Sequence, residues 1–115
     1  MNRDELLRRY ATGERDFSGT NFTQVDLSSI DLRNADLNEA CLFSTELSKA
    51  NLSGANLSFA NLSSTNLSGA DLSFANLSST NLTDLKDANL DDTYLRNAIF
   101  RNTTMPDGSI VNNGS

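Results

Sequence analysis

The chain has no histidine and no tryptophan, and only one cysteine and one proline among its 115 residues. Without histidine, no mechanism built on an imidazole base or an imidazole metal ligand is open to it. A single cysteine makes neither an internal disulfide nor a multi-cysteine zinc site. Positive charge is scarce as well: nine Lys and Arg stand against fifteen Asp and Glu, for a formal charge of −6. That balance argues against a basic nucleic-acid footprint. Long apolar runs are missing too. The opening MNRDELLRRYA is rich in charge and its longest apolar run is Leu6-Leu7, unlike a secretory leader or a membrane span. The expectation is a cytoplasmic protein of one domain that enters no membrane.

What is present is a period. From Phe17 and Phe22 the large apolar residues recur at every fifth position as Leu27, Leu32, Leu37, Leu42, Leu47, Leu52, Leu57, Leu62, Leu67, Leu72, Leu77 and Leu82. After a break at 83–87 the column resumes as Leu90, Leu95, Phe100 and Met105. Two residues before this central position i stands a second column of mostly Ala or Thr; i−1 is mostly Asp or Asn, and i+1 mostly Ser.

Neither standard element uses such a spacing. On a helix, a step of five turns through about 140° and scatters the leucines around the circumference. On a flat strand an odd step sends successive leucines to opposite faces. The pattern is satisfied if the chain turns a corner every pentapeptide, so that each makes one side of a square with i and i−2 pointing inward. Successive coils then hydrogen-bond at the strand spacing of about 4.8 Å.

The stretch ANLSGANLSFANLSSTNLSGADLSFANL resembles the pentapeptide-repeat proteins, whose pattern is A-[DN]-L-x-x. The resemblance spans residues 15–105. It implies an all-β solenoid, a right-handed quadrilateral β-helix, here of about 4.5 coils and about 20 Å in length. Arg15, Val25 and Ile30 are larger than usual at i−2, and Cys41 replaces Asp or Asn at i−1.

The ends read differently. A solenoid leaves an unpaired strand edge at each end, which invites aggregation unless covered. Residues 1–14 are expected to supply the cover at the first end, as a short helix over residues 2–12. Asn2 is its N-cap with Glu5 at N3, acids begin it, and Arg8 and Arg9 lie near its end. A partner-binding amphipathic helix is the alternative there. Residues 106–115 are expected to form a turn at Pro106-Asp107-Gly108 and a tail. Ile110 and Val111 either fold back over the last coil or pair two molecules end to end. Asn112–Ser115 are expected to be disordered.

Candidate surface features are few. Phe59 and Phe74 fall at i+2 and Phe43 at i+1, positions that face outward; with Leu85 in the phase break they form the candidate interaction surface. Exposed aromatics can anchor a partner, although lone apolar side chains on a surface need no explanation. Residues 50–64 and 65–79 differ at two positions only, so duplication accounts for the second Phe. Cys41 lacks a neighbouring cation to activate it. Asp91 and Asp92 lack a third fixed ligand.

A tube filled with leucine leaves no room for a substrate, and no phosphate loop or nucleophile–base pair is recognisable. The reading is therefore a non-catalytic structural or protein-interaction module without cofactor or metal, with an unidentified protein partner and no direct nucleic-acid binding, as a monomer or an end-to-end dimer. The alternative, which the resemblance brings, is a DNA-mimicking modulator of a type II topoisomerase such as gyrase. A 20 Å length of duplex would carry about twelve charges, against a net −6 here.

Overall fold

The computed structural model describes residues 1–83 and 93–113. It opens with helix α1 (Arg3–Ala11), continues as a four-sided coil of short bridged segments, and ends in a two-stranded antiparallel sheet of β1 (Phe100–Thr104) and β2 (Ile110–Asn113).

Parallel bridges link each i−1 residue to the one twenty positions on, as in Asp16↔Asp36, Asn21↔Cys41, Asp26↔Glu46 and Asp31↔Asn51. Twenty residues are four pentapeptides, so each coil has four walls. Wall 1 carries Phe17, Leu37, Leu57, Leu77 and Phe100 inside; wall 2 carries Phe22, Leu42, Leu62 and Leu82; wall 3 carries Leu27, Leu47 and Leu67; wall 4 carries Leu32, Leu52, Leu72 and Leu95. Each wall bonds to the next coil in the same way: on wall 1, Leu37 N–H donates to Asn56 O at 2.7 Å, Asn56 N–H to Ala35 O at 2.9 Å, and Glu39 N–H to Ser58 O at 2.9 Å.

The corner explains the period of five. At each one the i+3 amide bonds back to the carbonyl of i, as Ala40 N–H does to Leu37 O at 3.0 Å. The residue at i+2 is left-handed whatever its type: Gly19 at φ 67°, Glu39 at 62°, Phe59 at 61°, Phe74 at 63°. A positive φ at the second central residue is the mark of a type II turn. Three extended residues and this turn return the chain by a quarter circle.

The tube is filled by the two inward columns. Phe17, Phe22 and every leucine of the central column from Leu27 to Leu82 are essentially inaccessible, as are Ala35, Ala40, Ala50, Ala55, Ala60, Ala70 and Ala75. Where threonine replaces alanine, its hydroxyl is satisfied inside the wall: Thr45 Oγ1 donates to Phe22 O at 2.8 Å and Thr65 Oγ1 to Leu42 O at 2.7 Å. Among the described residues no buried side-chain N or O lacks a partner. Leu95 is only half-buried, because the repeats end at Met105 and no coil stacks beneath it on wall 4.

After the phase break the bridges resume at an offset of 23, as Asp71↔Tyr94, Asn76↔Ile99 and Asn81↔Thr104. The three extra residues fall between Leu82 and Tyr94, and both flanks keep their walls. Leu85 and Leu90, like most of 83–87, lie outside the described residues.

Helix α1 covers the first coil. Leu6 is fully buried in the core, and the Asn2 side chain caps the helix by accepting from Glu5 N–H at 2.9 Å. At the far end, Gly108 N–H donates to Met105 O at 2.9 Å across the proline turn. The tail departs from expectation. Asn112 and Asn113 belong to β2, with Phe100 opposite Asn113 and Thr103 opposite Val111. Pairing with β1 satisfies backbone that would otherwise face water, and the Asn112 side chain accepts from Asn102 N–H at 2.7 Å. Val111 packs back on the core while Ile110 stays exposed.

Candidate interaction surface

The outer walls are built from local side-chain bonds. The i−1 Asp or Asn accepts the i+1 amide in repeat after repeat: Ser18 N–H to Asp16 at 3.1 Å, Ser58 N–H to Asn56 at 3.0 Å, Ser78 N–H to Asn76 at 3.0 Å. Serine hydroxyls join in, as Ser58 Oγ to Asn56 Oδ1 and Ser78 Oγ to Asn76 Oδ1, both at 2.6 Å. Side chains also link coils on wall 1, where Asn38 Nδ2 donates to Ser58 Oγ at 2.8 Å. Cys41 and Glu46 take the same position without making this bond; the Cys41 sulfur lies 3.2 Å from Thr23 Oγ1. The walls are thus flat, polar and already hydrogen-bonded.

The same bonds set the charges of the acids. The Ser18 hydroxyl and amide hold Asp16 below the ordinary carboxylate range, and Ser28 does the same for Asp26 and Ser109 for Asp107. Asp31 is lowered chiefly by its hydrogen bond from Arg33, whose own value rises in return; the pair is 2.9 Å apart. The remaining ion pairs among the described residues join Arg9 to Glu5 and to Glu14. No group of three or more acids or cysteines that could hold a metal occurs among the described residues.

Against this background the aromatics stand out. Phe59 is 63% exposed, Phe74 60% and Phe43 40%. The turn at 72–75 leads from wall 4 into wall 1, and the turn at 57–60 leads from wall 1 into wall 2. Phe74 and Phe59 therefore border the same wall on opposite edges, one coil apart. Between them lie Asn56, Ser58, Asn76 and Ser78. Phe43 sits on wall 2 in the coil before Phe59, above Ser63. Leu85 lies outside the described residues.

One exposed ring escaped the reading of the pattern. Tyr94 is 64% exposed and bridges Asp71 on wall 4. Its signal was present: an aromatic residue at i−1, where most repeats have Asp or Asn. Arg96 and Arg101 also lie exposed at i+1 positions that elsewhere mostly hold serine.

A family model for pentapeptide repeats matches residues 16–48, 45–84 and 82–107, in eight copies. The chain belongs to the pentapeptide-repeat family. Two cyanobacterial members resemble it in structure. One from Nostoc Pcc 7120 is 37% identical with a TM-score of 0.77, over 82% of this chain and 75% of that one. One from Cyanothece 51142 is 45% identical with a TM-score of 0.73, over 78% of this chain and 60% of that one. A pentapeptide repeat protein from the Arabidopsis thaliana thylakoid lumen is 28% identical with a TM-score of 0.59, over 91% of this chain and 63% of that one. This chain thus spans less than two thirds of two of these relatives. No curated protein matches it. The coil is the right-handed quadrilateral β-helix of the family. No helix among the described residues is long and apolar enough to cross a membrane.

Proposed function

We propose that this pentapeptide-repeat protein is a non-catalytic protein-interaction module and that wall 1, bordered by Phe59 and Phe74, is its contact face. The observation that carries the reading is the placing of two exposed phenylalanines in left-handed corners. A left-handed conformation costs a residue with a Cβ about 1–2 kcal/mol, and an exposed ring gains nothing from burial. Other corners hold Gly, Ser, Asn, Gln, Glu or Lys. Rings carried on a rigid, hydrogen-bonded backbone bind without ordering the chain that holds them, which favours an anchor role. Phe43 extends the apolar surface around the corner onto wall 2.

A duplex mimic is less well supported. Wall 1 below its second coil offers neutral Asn and Ser and then Arg101 where a mimic needs a continuous row of carboxylates, and Arg33 already neutralises Asp31. Cytoplasmic residence belongs to the same proposal, and fractionation of the source cells tests it.

The test is affinity capture from native lysate with the unaltered chain and with Phe59→Ser/Phe74→Ser. A captured protein that is lost in the double variant, at unchanged thermal midpoint, supports the reading. Capture unaffected by the double variant sinks it. A gyrase supercoiling assay with the added chain is expected to show no change.

A further inference from the structure

We propose that the occupant of wall 1 is a second copy of this chain, laid face to face and antiparallel. The proposal rests on the reading of wall 1 as a contact face and names its partner. It starts from the order of rows down that wall, given by the column Asp16, Asp36, Asn56, Asn76 and Ile99. The row of Asn56, Leu57 and Ser58 is the middle one, and Phe59 is its corner. Charge is divided about that row. On the helix side lie Asp16, Asp36 and, at the corner above Phe59, Glu39, with Glu14, which also meets Arg9, before the first row; the cations there are already engaged, Arg15 over the Tyr10 ring and Arg33 on Asp31. On the far side Arg101 stands in the last pentapeptide row, with β2 paired beyond it, and Arg96 just before its entry corner, while the residues of wall 1 there are Asn76, Ser78, Ile99 and Asn102.

A two-fold axis along the middle row makes this division complementary. Residue i then meets j where j meets i, as closed pairs require. Arg101 faces the row of Asp16 and Ser18 in the partner copy, and Arg96 comes beside the partner's Glu14. Phe59 meets its own counterpart on the axis. Each Phe74 falls opposite the partner's Asn34, whose side chain lies over Gly54 in the same corner column. A parallel arrangement would set arginine against arginine and acid against acid, which costs rather than contributes.

The size of the face sets the strength. Five rows at about 4.8 Å and a wall with corners about 15 Å wide give about 300–400 Å² per copy. That is below the range of permanent dimers, so the pair is weak, concentration-dependent and loosened by salt.

Disulfide trapping reads the register directly. In a Cys41→Ser background, Phe59→Cys is expected to form a covalent dimer with itself under mild oxidation. Ser18→Cys and Arg101→Cys are expected to link when mixed, and neither alone. Ser68→Cys on wall 3 serves as the control and is expected to remain monomeric. Sedimentation of the unaltered chain over a concentration series is expected to show reversible dimers, weakened about tenfold or more by Phe59→Ser or Arg101→Glu. A monomer at every concentration with no trapping at 59 overturns the proposal. Trapping at 59 without the 18–101 link overturns the antiparallel register and the proposal with it. If either result comes while Phe59→Ser/Phe74→Ser still abolishes capture of another protein, the contact-face reading stands with a different partner.

Discussion

The Tyr10 hydroxyl donates to the carbonyl of Arg33 at 2.8 Å, filling the place of a coil that does not exist. In the interior, an i+1 carbonyl accepts from the preceding coil, as Asn38 O does from Gly19 N–H at 2.8 Å. Arg33 belongs to the first coil and has no such neighbour. The same holds for Asp26 O, which accepts from Arg3 Nη1 at 3.0 Å, where the equivalent Glu46 O takes Leu27 N–H. Helix α1 therefore substitutes side-chain donors for backbone ones along a free edge. Arg15 holds the arrangement by stacking its guanidinium 3.5 Å over the Tyr10 ring.

Removing these donors should loosen the lid without emptying the core. Tyr10→Phe is expected to lose about 0.5–1.5 kcal/mol. The combined Arg3→Ala/Tyr10→Phe variant should also aggregate sooner on heating, because the edge it uncovers can pair with other chains. Leu6→Ala, which truncates a fully buried residue, should cost more, about 2–5 kcal/mol. Chemical denaturation and light scattering check both; equal losses in all three variants would show that the edge donors are not separate from the packing.

Inside and outside of the tube can be separated by paired variants. Leu57 is inaccessible and Phe59 is 63% exposed, two residues away. Leu57→Ala should cost about 2–5 kcal/mol. Phe59→Ser and Phe74→Ser should leave the thermal midpoint nearly unchanged, since neither ring is packed. Comparable destabilisation by both kinds of change would contradict the inward and outward assignment.

The columns that repeat were the legible part of this molecule. Leucine at i and Ala or Thr at i−2 state which atoms are inside, and the odd spacing excludes helix and flat strand, so the square coil follows from geometry. The corner conformation was harder to see, because Glu39, Lys49 and Phe59 are not residues that advertise a left-handed backbone; the coil imposes it on them. The end of the chain is hard to read from sequence for a related reason. Asn112 and Asn113 look like tail residues, and only the register against Phe100 and Thr103 makes them a strand. On the surface, Phe59 and Phe74 were visible as aromatic residues at the outward i+2 position. Their position on opposite edges of one wall comes from counting coils, and the exposure of Tyr94 at i−1 comes from the outward direction of that column.

Corner strain predicts unequal effects for the same substitution. Gly19 and Gly54 both have positive φ, 67° and 70°. A Cβ on Gly19 meets open space, whereas one on Gly54 would collide with the Asn34 side chain. Gly19→Ala should cost about 1 kcal/mol from backbone strain alone. Gly54→Ala should cost more, and Asn34→Gly in that background should recover the excess by removing the obstructing amide. In the opposite direction, Ser64→Gly is expected to be neutral or to stabilise by up to about 1 kcal/mol, the left-handed strain being relieved against the entropy glycine adds to the unfolded chain. Denaturant midpoints for the cycle decide the point; additive losses for Asn34 and Gly54 would rule out their contact.

Acid should weaken the fold through a few named carboxylates. Asp16, Asp26 and Asp107 are held below their ordinary value by serine hydroxyls and amides, and Asp31 by Arg33. A carboxyl with a lower value folded than unfolded stabilises the fold fully above the unfolded value, about 3.9, and the contribution fades as pH falls through the folded one. The thermal midpoint should therefore hold between about pH 5 and 8 and decline below about pH 4. Asp16→Asn/Asp26→Asn should keep the neutral midpoint, because asparagine accepts both serine bonds equally well where it occurs naturally, as Asn56 does from Ser58 N–H and Oγ. The double variant should then show a shallower decline on the acid side. Thermal unfolding followed by circular dichroism from neutral pH into acid makes the comparison, and an unchanged acid slope would place the sensitivity in other carboxylates.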